Sequence, residues 1–185
     1  SVSIILIAIG INSKEALSGA IFYMIHSTFV TGGFFLIADV ILKARNSTSL
    51  RPKMPIFKNA ILIGSIFFIF AIAIAGLPPF GGFFGKIMIL KSSINHTQTA
   101  LILTTVLLSS LLVIVSLARS GTNIFYDTRA NEEESNYKLS KSTVSSIFYL
   151  FSFTIILVLF ANNITQLTEN IASNLVDTNI YISTV

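Results

Sequence analysis

Apolar runs alternate along this chain with short polar punctuation, and several of the runs are long enough to cross a bilayer. Residues 1–11 form about half a span. Asn12-Ser13-Lys14-Glu15 then caps a longer apolar segment, 16–42, which suffices for a tilted crossing. Residues 59–95 are apolar but interrupted by prolines and glycines. Residues 100–126 and 144–161 predict two further spans, separated by a mixed-charge loop, 127–143, that carries Glu132-Glu133-Glu134 and reads as a solvated stretch. The remainder, 162–185, holds Glu169 and Asp177 without lysine or arginine and reads as a polar C-terminal tail. The pattern predicts an all-α membrane protein, a polytopic helical bundle with one discontinuous, Pro/Gly-broken transmembrane helix.

Composition narrows the function classes. With 53% hydrophobic and 11% charged residues, the chain has too much apolar surface for one soluble core, so the lipid bilayer is its solvent. Cysteine is absent, which excludes disulfides and thiolate metal sites, and His26 and His96 are the two histidines. The net charge of +4 does not point to nucleic acid, because the basic residues cluster beside apolar segments. Lys43, Arg45, Arg51, Lys53 and Lys58 lie close together without an intervening acid, which marks loop 43–58 as cytoplasmic. The first residues lack a methionine and a basic region, so no signal peptide is expected and the chain reads as truncated at its N-terminus.

The same charge rule decides how the interrupted segment is used. Two crossings by residues 59–95 would put Arg119, Arg129, Lys138 and Lys141 outside and the acidic tail inside; one crossing reverses this and leaves the tail outside. A continuous helix over that segment would be about 55 Å long, against a hydrocarbon core of about 30 Å. The break must therefore let two half-helices step sideways or fold partly back. It falls at Gly76-Leu77-Pro78-Pro79-Phe80-Gly81-Gly82, just before Lys86.

Freed backbone groups at membrane depth persist only where protein or a water-filled cavity receives them. A lysine at the centre of a span costs about 2.5–3.5 kcal/mol, so Lys86 is expected to face a bundle interior and a proton or ion path. Desolvation and the N–H ends of the second half-helix disfavour its ammonium, while the carbonyls around Ala73 to Gly76 favour it. Lys91, farther round the helix and nearer Asn95-His96-Thr97, is expected to snorkel. His26 lies at the middle of segment 16–42, beside Ser27 and Thr28 and near Thr31, with Gly32-Gly33 permitting close helix approach. His26 is a candidate proton relay or a helix-bridging hydrogen-bond partner, and Ser27 and Thr31 are relay candidates or structural polar groups. Asp39 and Lys43 have the spacing of an interfacial ion pair, with proton entry at Asp39 as the other reading. A hydrolytic triad from Ser27, His26 and Asp39 is excluded, since Asp39 stands roughly 20 Å from His26 along a helix.

Ala20-Ile21-Phe22-Tyr23-Met24-Ile25-His26, Phe34-Phe35-Leu36-Ile37-Ala38 and Ala75-Gly76-Leu77-Pro78-Pro79-Phe80-Gly81-Gly82-Phe83-Phe84-Gly85-Lys86 closely resemble the C-terminal third of the antiporter-like membrane proteins. These include the D subunits of the Mrp-type multisubunit cation/proton antiporters and the proton-pumping subunits of respiratory complex I. The resemblance covers residues 1–161 and implies the last helices of a domain built from inverted repeats, with the break as the family's discontinuous helix. It implies that Lys86 is the terminal proton-relay lysine, with His26 as an intermediate donor or acceptor. Gly76, Pro78, Pro79, Gly81 and Gly82 would shape the cavity.

The lysine after Gly-Phe-Phe-Gly, together with the Ala20–Ile25 wording, leans toward the Mrp D subunits; one complex I branch has glutamate there, while other complex I branches also carry lysine. Many Mrp D members carry His-His followed by a lysine where this chain has His26-Ser27 and Thr31. A relay here would have to bridge that gap by water, by His26 or by another residue. The implied function is proton translocation in a multisubunit Na⁺/proton antiporter of the bacterial inner membrane, with other subunits, lipid, protons and Na⁺ as partners and no cofactor or metal. Two alternatives stay open: a proton-pumping membrane subunit of NADH:quinone oxidoreductase or of a membrane-bound hydrogenase, and a structural helix-packing subunit with no transport residue. Whether the chain serves an enzyme turns on the first of these.

Overall fold

A computed structural model describes residues 1–45, 59–126 and 139–177. The basic residues Arg51, Lys53 and Lys58, the loop residues Arg129 and Lys138, and the run Glu132–Glu134 lie outside the described residues. Among the described residues seven helices form in chain order: α1 (Val2–Ile11), α2 (Lys14–Arg45), α3 (Ala60–Ala75), α4 (Gly81–Ser92), α5 (Thr99–Phe125), α6 (Lys141–Leu159) and α7 (Ala161–Val176). Among the described residues the structure is all-α. Helices α2, α5 and α6 are long and apolar enough to cross a membrane, and α1 and α3 are shorter apolar helices.

Local chemistry sets the helix ends. Helix α1 stops at Asn12, which adopts the left-handed conformation that asparagine tolerates (φ 52°). Ser13 then accepts the Ala16 N–H through its side chain at 3.1 Å and starts α2. Helix α3 stops at Gly76, left-handed at φ 72°. The Gly76 N–H returns to Ala73 O at 3.1 Å and the Leu77 N–H to Ile72 O at 3.2 Å, the double closure that glycine permits at a helix C-terminus. Pro78 and Pro79 offer no N–H to continue the ladder, so the chain stays non-helical until Phe80, extended, admits α4 at Gly81.

Helix α2 is the hub, packed by α1, α3, α4, α6 and α7, while α5 lies against α3. Helices α3 and α4 follow one another along α2 in the antiparallel sense. Phe70 sits at Gly33, Gly82 at His26, Gly85 at Tyr23, and Met88 and Ile89 at Gly19. Two apolar clusters flank the break. One joins Val30, Ile37 and Val40 of α2 with Phe67 and Phe70 of α3, Ile124 and Phe125 of α5 and Ile147 of α6. The other joins Ile4 and Ala8 of α1 with Ala16, Ala20 and Tyr23 of α2 and Ile89 of α4.

Much apolar surface stays outside. Leu101, Leu107, Leu108, Leu111 and Leu112 of α5 are all exposed, a distribution suited to lipid. Helix α7, Ala161–Val176, begins one residue before the stretch expected to be a polar tail, 162–185, and folds back on α2. Thr168 and Ala172 are fully buried there, and the Thr168 and Ser18 hydroxyls meet at 2.8 Å.

Candidate functional site

The interruption between α3 and α4 ends the helical ladder at the last carbonyls of α3; Ala73 O keeps the Gly76 N–H as a donor, and side chains from two other elements meet Ala73 O and Ala75 O. Lys86, on the second turn of α4, reaches back and donates from Nζ to Ala75 O at 2.7 Å. It also donates to the Ser110 hydroxyl of α5 at 2.9 Å. The lysine is only 7% exposed. Its ammonium therefore lies at the negative end of the α3 dipole, where a buried cation is best tolerated without a carboxylate.

Gly76 makes this approach possible. A methyl built there would stand 2.8 Å from Lys86 Nζ, and the residue is left-handed besides, so its glycine is required twice over. The Tyr23 ring of α2 lies 5.9 Å from Nζ, its face toward the cation.

His26 meets the same helix end from α2. Its Nε2 lies 3.1 Å from Ala73 O, and the residue is 1% exposed. A carbonyl only accepts, so Nε2 carries the proton and Nδ1 is the basic nitrogen. Nδ1 is buried with no hydrogen-bond partner among the described residues. The imidazole fits because α4 opens with two glycines. Methyls on Gly81 and Gly82 would stand 3.1 Å from Nδ1 and 2.8 Å from Nε2. The imidazole and the ammonium thus bind carbonyls two residues apart on one helix terminus.

The other sequence candidates sit elsewhere. Ser27 and Thr28 bond back to Met24 O of their own helix, at 3.1 and 2.8 Å. Thr31 is half-buried on α2. Asp39 and Lys43 pair at 2.6 Å with both side chains largely exposed, at the far end of α2 from the break. Lys91 is exposed beside Glu15, Ser92 and Asn95. Pro78 and Pro79, joined by a cis peptide bond, are exposed at the break. Ser110 was missed by sequence reasoning. Its only signal was a pair of serines, Ser109-Ser110, in an otherwise apolar stretch of the span. Among the described residues no three of His, Cys, Asp and Glu gather as metal ligands. The chemistry available at the break is proton exchange by an amine and an imidazole set among hydroxyls and carbonyls.

A family model described as "NADH:quinone oxidoreductase/Mrp antiporter, TM" matches residues 1–112. The chain belongs to that family. It is accordingly part of a multi-pass membrane protein, and the matched region contains His26, the whole helix break, Lys86 and Ser110. Among its relatives is the D subunit of a Na(+)/H(+) antiporter of Bacillus subtilis (strain 168), 30% identical over 154 residues, which are 82% of this chain and 31% of the relative. Another, of the same name, is from Alkalihalophilus pseudofirmus (strain ATCC BAA-2126 / JCM 17055 / OF4). It is 31% identical over 186 residues, which are 100% of this chain and 37% of that protein. The chain spans about a third of the length of the curated relatives it matches.

Proposed function

We propose that this chain is the C-terminal portion of a proton-translocating subunit of a multisubunit monovalent cation/proton antiporter, with residues 1–161 as its share of the antiporter-like transmembrane domain. The observation that carries the reading is the seat of Lys86. A buried ammonium bound by a helix-end carbonyl and a hydroxyl, with no carboxylate beside it among the described residues, can give up and regain a proton without breaking a buried ion pair. His26, on the neighbouring carbonyl, is the intermediate donor or acceptor, using Nδ1 as its exchanging atom. Gly76, Pro78, Pro79, Gly81 and Gly82 shape the cavity around both groups. Thr31, Ser27 and Asp39 serve as structural polar groups.

Two relatives named as Na⁺/H⁺ antiporter components support Na⁺ as the exchanged cation and other subunits as partners. Loop 43–58 faces the cytoplasm and the C-terminal stretch the outside of a bacterial inner membrane, on the strength of the basic cluster. A second reading, a proton-pumping subunit of NADH:quinone oxidoreductase, draws on the family description, which names both groups.

The test uses the full-length protein in its assembled complex, in inverted vesicles, and follows pH-gradient collapse on adding Na⁺. Lys86→Ala is expected to lower exchange by at least about 100-fold while complex yield is unchanged. Exchange at the wild-type rate, or loss explained by failed assembly, would reduce Lys86 to a structural role. Quinone-dependent proton pumping without Na⁺-driven exchange in the wild type would select the second reading.

A further inference from the structure

Helix α5 leaves most of its length exposed, and several of its hydroxyls are used locally. Thr104, Thr105, Ser109 and Thr122 each donate to a carbonyl of the preceding turn, at 2.7, 2.8, 3.0 and 2.9 Å. Ser110 does this too, donating to Val106 O at 2.8 Å, but it also accepts from Lys86 Nζ at 2.9 Å. Its one proton is committed to its own helix, so its oxygen faces the ammonium as a pure acceptor.

We propose that Ser110 is a positioning residue for Lys86, holding the ammonium on the α3 terminus and fixing the direction in which its proton leaves. The proposal rests on the reading of Lys86 as a proton carrier. An ammonium has three N–H bonds. Ala75 O on α3 takes one and Ser110 Oγ on α5 a second, which locks rotation about the terminal bond. The third is left for the side of α2, where the Tyr23 ring stands 5.9 Å away.

An uncharged acceptor suits this task better than a carboxylate. An aspartate at position 110 would hold the cation by a buried ion pair and oppose release, whereas a hydroxyl orients it and loses only part of a neutral–charged hydrogen bond when the amine gives up its proton. Position 110 also lies on a different helix from the carbonyl, so the two acceptors grip Nζ from separate elements. The α3–α5 packing, with Phe67 and Phe68 against Gly121 and Phe125 against Gly64, sets their separation.

The experiment compares Ser110→Ala, Ser110→Val and Ser110→Thr with wild type and Lys86→Ala, in the full-length protein within its assembled complex. Rate and apparent KM for Na⁺ are read in inverted vesicles, and complex yield is measured for each. Expected is a loss of about tenfold in maximal rate for Ala and Val, with KM and yield unchanged, and recovery to within about twofold for Thr. Valine and threonine are close in shape, so their difference isolates the hydroxyl. Wild-type rates in all three Ser110 variants would overturn the proposal, as would equal losses in valine and threonine, which would make position 110 a packing site. Lys86→Ala separates the two levels: full exchange in that variant overturns the proton-carrier reading itself, whereas its loss alongside unaffected Ser110 variants overturns only the role of Ser110.

Discussion

On the α3 side of the break, α2 supplies the groove and its partner the knob: Gly33 receives the ring of Phe70, which leaves no room for a methyl there. On the α4 side the roles are largely exchanged. Gly81, Gly82 and Gly85 supply the groove, and α2 fills it with His26 and Tyr23; Gly19, which yields to Met88 and Ile89, is the exception. Both halves achieve close helix approach through small residues, as membrane interfaces commonly do. They differ in what the glycines admit. The α3 half admits a hydrocarbon ring and joins a large apolar cluster with Phe34, Phe67 and Phe151, whereas the α4 half admits an imidazole at Gly81 and Gly82 and the backbone and Cβ of Tyr23 at Gly85. One half of the broken helix is thus anchored by packing of rings, and the other also makes room for polar groups at the buried end of the first.

The contrast can be broken most severely at the anchor. Phe70→Ala should destabilise the bundle by about 3–5 kcal/mol, seen as a lower thermal midpoint of the assembled complex in detergent. A change below about 1 kcal/mol would show that the ring is not an anchor.

A smaller effect, about 1–3 kcal/mol, is expected for Gly85→Ala. The added methyl would meet Tyr23 Cβ at 2.8 Å and its Cα at 3.0 Å, contacts that no side-chain rotation relieves. Full stability in that variant would mean that α4 can slide on α2.

Paired variants sharpen the comparison at a similar energy. Phe70→Leu should restore both stability and Na⁺-driven exchange to Gly33→Ala, because only volume is at stake there. His26→Ala should restore part of the stability of Gly82→Ala, since the added methyl still meets Ala73 O at 3.0 Å, but leave exchange impaired, because the group removed is chemical. Recovery of exchange in the second pair would show that His26 is only a spacer.

The smallest effect belongs to the exposed pair. Asp39→Asn should alter stability by less than about 1 kcal/mol and leave exchange within about twofold of wild type. A larger fall in exchange, with assembly intact, would return Asp39 to the proton path.

Much of the site was legible because its parts carry rules that act locally. Two adjacent prolines end a helical ladder wherever they stand, a glycine permits the left-handed closure at position 76, and a lysine in an apolar stretch demands a partner. The carbonyls expected to favour Lys86, around Ala73 to Gly76, include the one that it binds, Ala75 O. The pattern was less informative on partners. Ser110 looked like any hydroxyl bonding to its own helix, which it does as well. Helix α7 was hidden by its polar composition, although Leu167, Ile171 and Leu175 recur at helical spacing within it.

Residue order was enough to put the chain in lipid, to break one of its helices, to locate the break and to name the cation beside it. Each follows from the transfer cost or the backbone geometry of residues near one another in the chain. Folding was needed to settle which carbonyl each polar group took and which glycine made room for it, and to make Ser110, 24 positions from Lys86, its second acceptor. Those pairings depend on how far one helix slides and turns against another, and that is set by the summed packing of many side chains rather than by any local stretch of the chain.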